Sequence, residues 1–133
     1  MHHVMPDPIR HLIVVLGDQL DPAAAAFDGC DPAHDVVWMA EVAEESTHVW
    51  SAKMRTALFL GAMRHFAQDR RGDGWTVDYR TLDDPENRGA LGAELAAAIA
   101  RLRPQTVRMT APGDWRVLQA IRATTSADRK SVV

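Results

Sequence analysis

The chain has 133 residues, a length that fits one domain with a true core. Its apolar fraction of 47% and charged fraction of 25% are those of an ordinary globular protein, and a formal net charge of −3 with interspersed signs argues against a nucleic-acid-binding arm. The single cysteine, Cys30, excludes an internal disulfide and points to a reducing, cytoplasmic setting; no stretch nears the roughly twenty apolar residues of a membrane span, and the start lacks the core of an export signal.

Residues 1–10 read as a flexible start, where the adjacent His2 and His3 are more often inert than metal ligands. Residues 11–16 form a β-branched run without alternation, the pattern of a central strand buried on both faces. It stops at Gly17-Asp18-Gln19. Asp21 then reads as an N-cap and Pro22 as a first helical position, which predicts a short alanine-rich helix. Residues 35–41 predict a second strand. From Thr47 to about Arg70 the pattern turns helical, with Val49, Ala52, Thr56, Phe59, Leu60, Met63, Phe66 and Ala67 at spacings of three and four. The glycines of 70–74 end that helix.

Residues 75–79 alternate and predict a third strand near a sheet edge, followed by a turn at 83–87. Leu91, Leu95, Ile99 and Leu102 mark a further helix that Pro104 closes. Residues 106–110 predict a fourth strand, and Pro112-Gly113-Asp114 caps a last helix carrying Trp115, Leu118 and Ile121. Strands alternating with helices predict an α/β fold, a doubly wound and mostly parallel Rossmann-like sheet with helices on both faces.

In such sheets ligands bind beyond the carboxyl ends of the strands, where the strand order reverses, and the first strand is the usual switch point. Two loops therefore matter. Gly17-Asp18-Gln19 combines close backbone approach with an acid and an amide. The segment from Glu41 to His48 carries Glu41, Glu44, Glu45, Thr47 and His48 at a helix start. Blander readings remain open at this point: Gly17-Asp18 as a common turn, the glutamates as a solvated loop, His48 and His65 as ordinary helix residues, and Trp115 as core. Cys30 has no neighbouring base to make it a nucleophile. Neither a G-x-G-x-x-G nor a P-loop follows the first strand, and the paired acids of a phosphorelay receiver are absent. The residues alone support a small-ligand or nucleotide-binding α/β module, stand-alone and without light chemistry as one reading.

Six motifs in order add to this: Leu16-Gly17-Asp18-Gln19-Leu20, Met39-Ala40-Glu41-Val42, Glu44-Glu45, Ala62-Met63-Arg64-His65-Phe66, Leu82-Asp83-Asp84-Pro85 with Asn87, and Pro112-Gly113-Asp114-Trp115-Arg116. Together they resemble the deoxyribodipyrimidine photolyase-related proteins, also called iron–sulfur bacterial cryptochromes and photolyases or prokaryotic (6-4) photolyases. The resemblance implies the amino-terminal antenna domain of a flavoprotein that repairs DNA with light or senses blue light. It implies 6,7-dimethyl-8-ribityllumazine as pigment in this domain, with FAD, a four-iron cluster and damaged DNA held by a larger helical domain, its partner. Carried over by motif, the pigment contacts are Gly17, Asp18, Gln19, Glu41, Glu45, Thr47 and His48. No catalytic residue and no metal ligand is expected in this chain, whose photolyase parent would be a carbon–carbon lyase.

The sequence departs from the family pattern at three places. His48 stands where a tyrosine is usual, Trp50 to Arg55 replaces a His-His-Lys-Lys-Lys-like run, and Ala111 replaces a glutamate before Pro112-Gly113. The expected domain covers 11–123 with four of five strands, as a truncated piece without catalysis of its own. Residues 124–133 are expected to be a non-native tail, since 128–133 match one reading frame of a common sequencing adapter.

Overall fold

The computed structural model describes residues 8–17, 20–42 and 53–109. Strands β1 (His11–Val14), β2 (Val36–Ala40), β3 (Thr76–Arg80) and β4 (Thr106–Met109) form one sheet in the order β3-β2-β1-β4. All three pairings are parallel. Helix α1 (Lys53–Gly72) joins β2 to β3, and α2 (Leu91–Leu102) joins β3 to β4. The expected α/β class and doubly wound sheet are what the chain adopts.

Alternation along the two central strands explains why helices cover both faces, since successive side chains of a strand point to opposite sides. Leu12, Val14, Val36, Trp38 and Ala40 pack with Leu91, Leu95, Ala98 and Ile99 of α2. Ile13, Val37 and Met39 pack with Met63, Phe66 and Ala67 of α1. Every residue of β2 is buried, as a strand with neighbours on both edges and helices on both faces must be. Truncating Leu95, which is wholly buried in this core, should cost about 2–5 kcal/mol.

The expected alanine-rich helix is replaced by turns and a single 3-10 turn at Ala25–Phe27. Asp21 does cap, its Oδ1 accepting from Ala23 N at 2.9 Å. The run then stops at Gly29, whose φ of 72° is left-handed, before enough hydrogen bonds accumulate to offset helix nucleation. Phe27 instead sits edge-on to Trp75 (5.6 Å) and Phe66 (6.4 Å), closing the α1 face.

Boundaries moved by one or two residues elsewhere. The β1–β4 ladder ends at Val14–Met109, although Val15 N still donates to Trp38 O at 3.0 Å and Leu16 stays buried. Helix α1 runs to Gly72 and is stopped by Gly74 (φ 95°), one glycine later than the first of the pair. Helix α2 ends in a left-handed Arg103 (φ 51°) whose N–H still reaches Ile99 O, and Pro104 follows. The predicted helix start at 47–52 and the last helix with Trp115, Leu118 and Ile121 lie outside the described residues.

Candidate ligand site at the carboxyl ends of the strands

From β1 the chain steps outward to β2 and β3, then returns to place β4 on the far side of β1. That reversal makes β1 the switch point, and the crevice beyond the carboxyl ends of β1 and β4 is where a doubly wound sheet receives its ligand. Three residues past the paired Val14 and Trp38 stand Gly17 and Glu41, so two of the expected site residues leave adjacent strands at the same end of the sheet. Gly17 is buried. Asp18, Gln19, Glu45, Thr47 and His48 lie outside the described residues, as does the loop after β4.

Glu41 has only 1% of its surface exposed, and a carboxylate in such a place must be paired. Arg64 of α1 binds it as a fork, Nε to Oε2 at 2.6 Å and Nη2 to Oε1 at 2.8 Å. The Tyr79 hydroxyl donates to Oε2, and Leu82 N donates to Oε1 at 2.9 Å. Burial alone would push this carboxyl up, but the Arg64, Tyr79 and Leu82 donors outweigh it and hold it below the usual glutamate value. Burial, then the bond to Glu41, pushes the Tyr79 hydroxyl far above the usual phenol value, so it remains a donor.

The main chain of Glu41 is held as firmly. Its N–H donates to Arg80 O at 2.8 Å, and its carbonyl accepts from Asn87 Nδ2 at 2.6 Å. Asn87 in turn bonds Thr81 O (2.9 Å) and accepts from Gly89 N (2.8 Å), while Asp84 Oδ1 accepts from Glu86 N (2.8 Å) to shape the turn between them. Arg80 leaves the end of β3 to reach the buried Glu94 of α2 at 2.9 Å and Asp84 at 3.0 Å. A polar trough of about 230 Å³ lined by Asp78, Tyr79, Arg80, Glu86 and Arg101 opens on the β3 side, where Arg101 already pairs with Asp78 at 2.7 Å.

A carboxylate has about four acceptor positions, and those of Glu41 all receive protein donors. Its side chain therefore has none left for the hydroxyl of a ligand. The partners were missed as partners. Arg64, Leu82 and Asn87 stood in the quoted motifs without a role, and Tyr79 stood only at the end of a predicted strand. The signal that finds them is the acid itself: Glu41 closes the apolar run of β2, and a buried acid demands a forked cation from a facing helix.

A doubly wound parallel α/β domain whose strand order reverses at β1 is the class of protein that this fold defines. The chain belongs to the deoxyribodipyrimidine photo-lyase-related protein family, whose model matches residues 13–133. It is 42% identical over 109 residues to a (6-4) photolyase of Agrobacterium fabrum, an alignment covering 82% of this chain. The alignment spans 22% of that relative's length. Among the described residues no helix is long and apolar enough to cross a membrane.

Proposed function

We propose that this chain is the antenna-pigment domain of a photolyase- or cryptochrome-type flavoprotein, binding 6,7-dimethyl-8-ribityllumazine at the carboxyl ends of β1 and β2. The observation that supports this most is the joint position of Gly17 and Glu41 at the carboxyl ends of the adjacent strands β1 and β2, in a chain of the photolyase-related family. In this reading the ribityl hydroxyls donate to Asp18 and Glu45, with Gly17, Gln19, Thr47 and His48 completing the contacts. Glu41 contributes by holding the carboxyl end of β2 in place.

The light-driven chemistry is proposed for a full-length photolyase-related protein, as DNA repair or blue-light sensing by FAD in a helical domain partnered with one like this. When bound, the flavin supplies an excited electron to its target. A four-iron cluster needs four thiolates, and Cys30 is the one cysteine here, so this chain's donors do not fit the cluster. Cys30 is also a poor nucleophile, because burial pushes its thiol up.

Lumazine fluorescence titrated against the protein tests the reading. Glu45→Ala should weaken binding by about 1–3 kcal/mol, the range for a charge-assisted bond lost in a buried site. Asp18→Ala should have a similar or smaller effect, and Glu86→Ala, in the 84–87 turn, none. Equal affinity in all four proteins would remove these contacts. A protein that takes up no lumazine but binds another small molecule would be a ligand-binding module without light chemistry.

A further inference from the structure

Glu41 joins three elements that the sequence keeps far apart: α1 through Arg64, β3 through Tyr79, and the 81–87 turn through Leu82 N and, from its own carbonyl, Asn87. We propose that Glu41 is a positioning residue for the pigment site, acting on a ligand through the elements it clamps and not by touching it. The inference rests on the reading that the carboxyl ends of β1 and β2 hold the lumazine.

Three observations carry it. The four acceptor positions of the carboxylate are filled from within the protein, so the group has no free valence for a ligand. The clamp also ties the middle of α1 to the end of β2 through Arg64, where Val42 follows Glu41 and is buried. Finally, a buried ion pair adds little stability over well-packed apolar side chains, so what the charge secures here is geometry. The forked Arg64 and the directed Tyr79 and Leu82 donors fix that geometry in a way an apolar contact would not.

A second carboxylate supplies the control. Asp35, at the amino end of the same strand, is equally buried and equally bonded, with Arg10 forked onto it and His11 N and Asp31 N as further donors. Glu41→Gln and Asp35→Asn should lower Tm alike. Only Glu41→Gln should weaken lumazine, by about tenfold or more, and lower the fluorescence anisotropy of the pigment at saturation. Arg64→Gln should match it, and the double variant should be no worse than either single one, as members of one clamp must behave.

Lumazine affinity kept within about twofold in Glu41→Gln would overturn the inference while leaving the proposed function intact. Equal weakening by Asp35→Asn would overturn it too, since general loss of stability would then be the cause. If the wild type binds no lumazine, the proposed function fails and the clamp is judged by amide exchange. Faster exchange at Leu82 and Asn87 in Glu41→Gln, with Leu12 and Val36 unchanged, upholds the clamp, and uniform acceleration overturns it.

Discussion

The two ends of β2 carry the same chemistry and serve different purposes. At the amino end, Asp35 (0% exposed) accepts from Arg10 Nη2 at 2.7 Å, Arg10 Nε at 3.1 Å, His11 N at 2.9 Å and Asp31 N at 2.7 Å. At the carboxyl end, Glu41 receives an arginine fork, a hydroxyl and an N–H. The donors to Asp35 come from two places, Arg10 and His11 at the start of β1 and Asp31 in the loop just before β2. The donors to Glu41 come from a helix, the edge strand and a distant turn. Parallel sheets gather their connections to ligands at the carboxyl ends, and there the clamp that joins more elements is found.

The largest test of this contrast removes one cation from each end. Arg64→Met and Arg10→Met each strand a buried carboxylate; Arg64→Met should cost about 3 kcal/mol, the low end of the usual range for a broken buried pair, and Arg10→Met should destabilise as well. The low end is chosen because solvent reaches both guanidiniums, with Arg64 52% and Arg10 40% exposed. Urea unfolding measures the loss. A cost below about 1 kcal/mol for Arg64→Met, or no loss for Arg10→Met, would show that water replaces that arginine.

Acid titration sharpens the comparison further. Burial pushes both carboxyls up, but their donors prevail and both sit below their ordinary values. The unfolded chain then binds more protons than the folded one as pH falls, so the stability these groups contribute is present above about pH 4 and lost below it. Glu41→Gln and Asp35→Asn should each flatten that acid limb of the stability curve. An unchanged limb in either variant would remove that carboxylate from the account.

Much of the fold was legible because burial imprints itself on sequence. The unbroken apolar runs of β1 and β2 and the Leu91, Leu95, Ile99 spacing of α2 each report a covered face, and the alternation of β3 reports its place at a sheet edge. The alanine run at 23–26 misled because alanine favours a helix while chain length and Gly29 decide whether one can nucleate. The site was legible in part. Gly17 and Glu41 are brought to one end of the sheet, but the Glu41 network depends on donors 23 to 41 residues away. Those separations depend on how α1 packs, which no local pattern encodes.

The smallest expected effect is a gain. Arg103 holds a left-handed φ of 51° at the end of α2, on the way to the amino end of β4. Arg103→Gly should stabilise by about 0.5–1 kcal/mol, read from the urea midpoint, without changing lumazine affinity. A loss of stability would mean that the arginine side chain contributes more than its backbone costs.

The most direct test of the central claim, that the carboxyl end of the sheet binds the pigment, is amide chemical-shift mapping during a lumazine titration. Shifts concentrated at Gly17, Glu41, Val42 and Leu82, with Ile9, Arg10, Asp35 and Gln105 unmoved, are the predicted result. Shifts centred on the amino end of the strands, or no shifts at saturating lumazine, would contradict it.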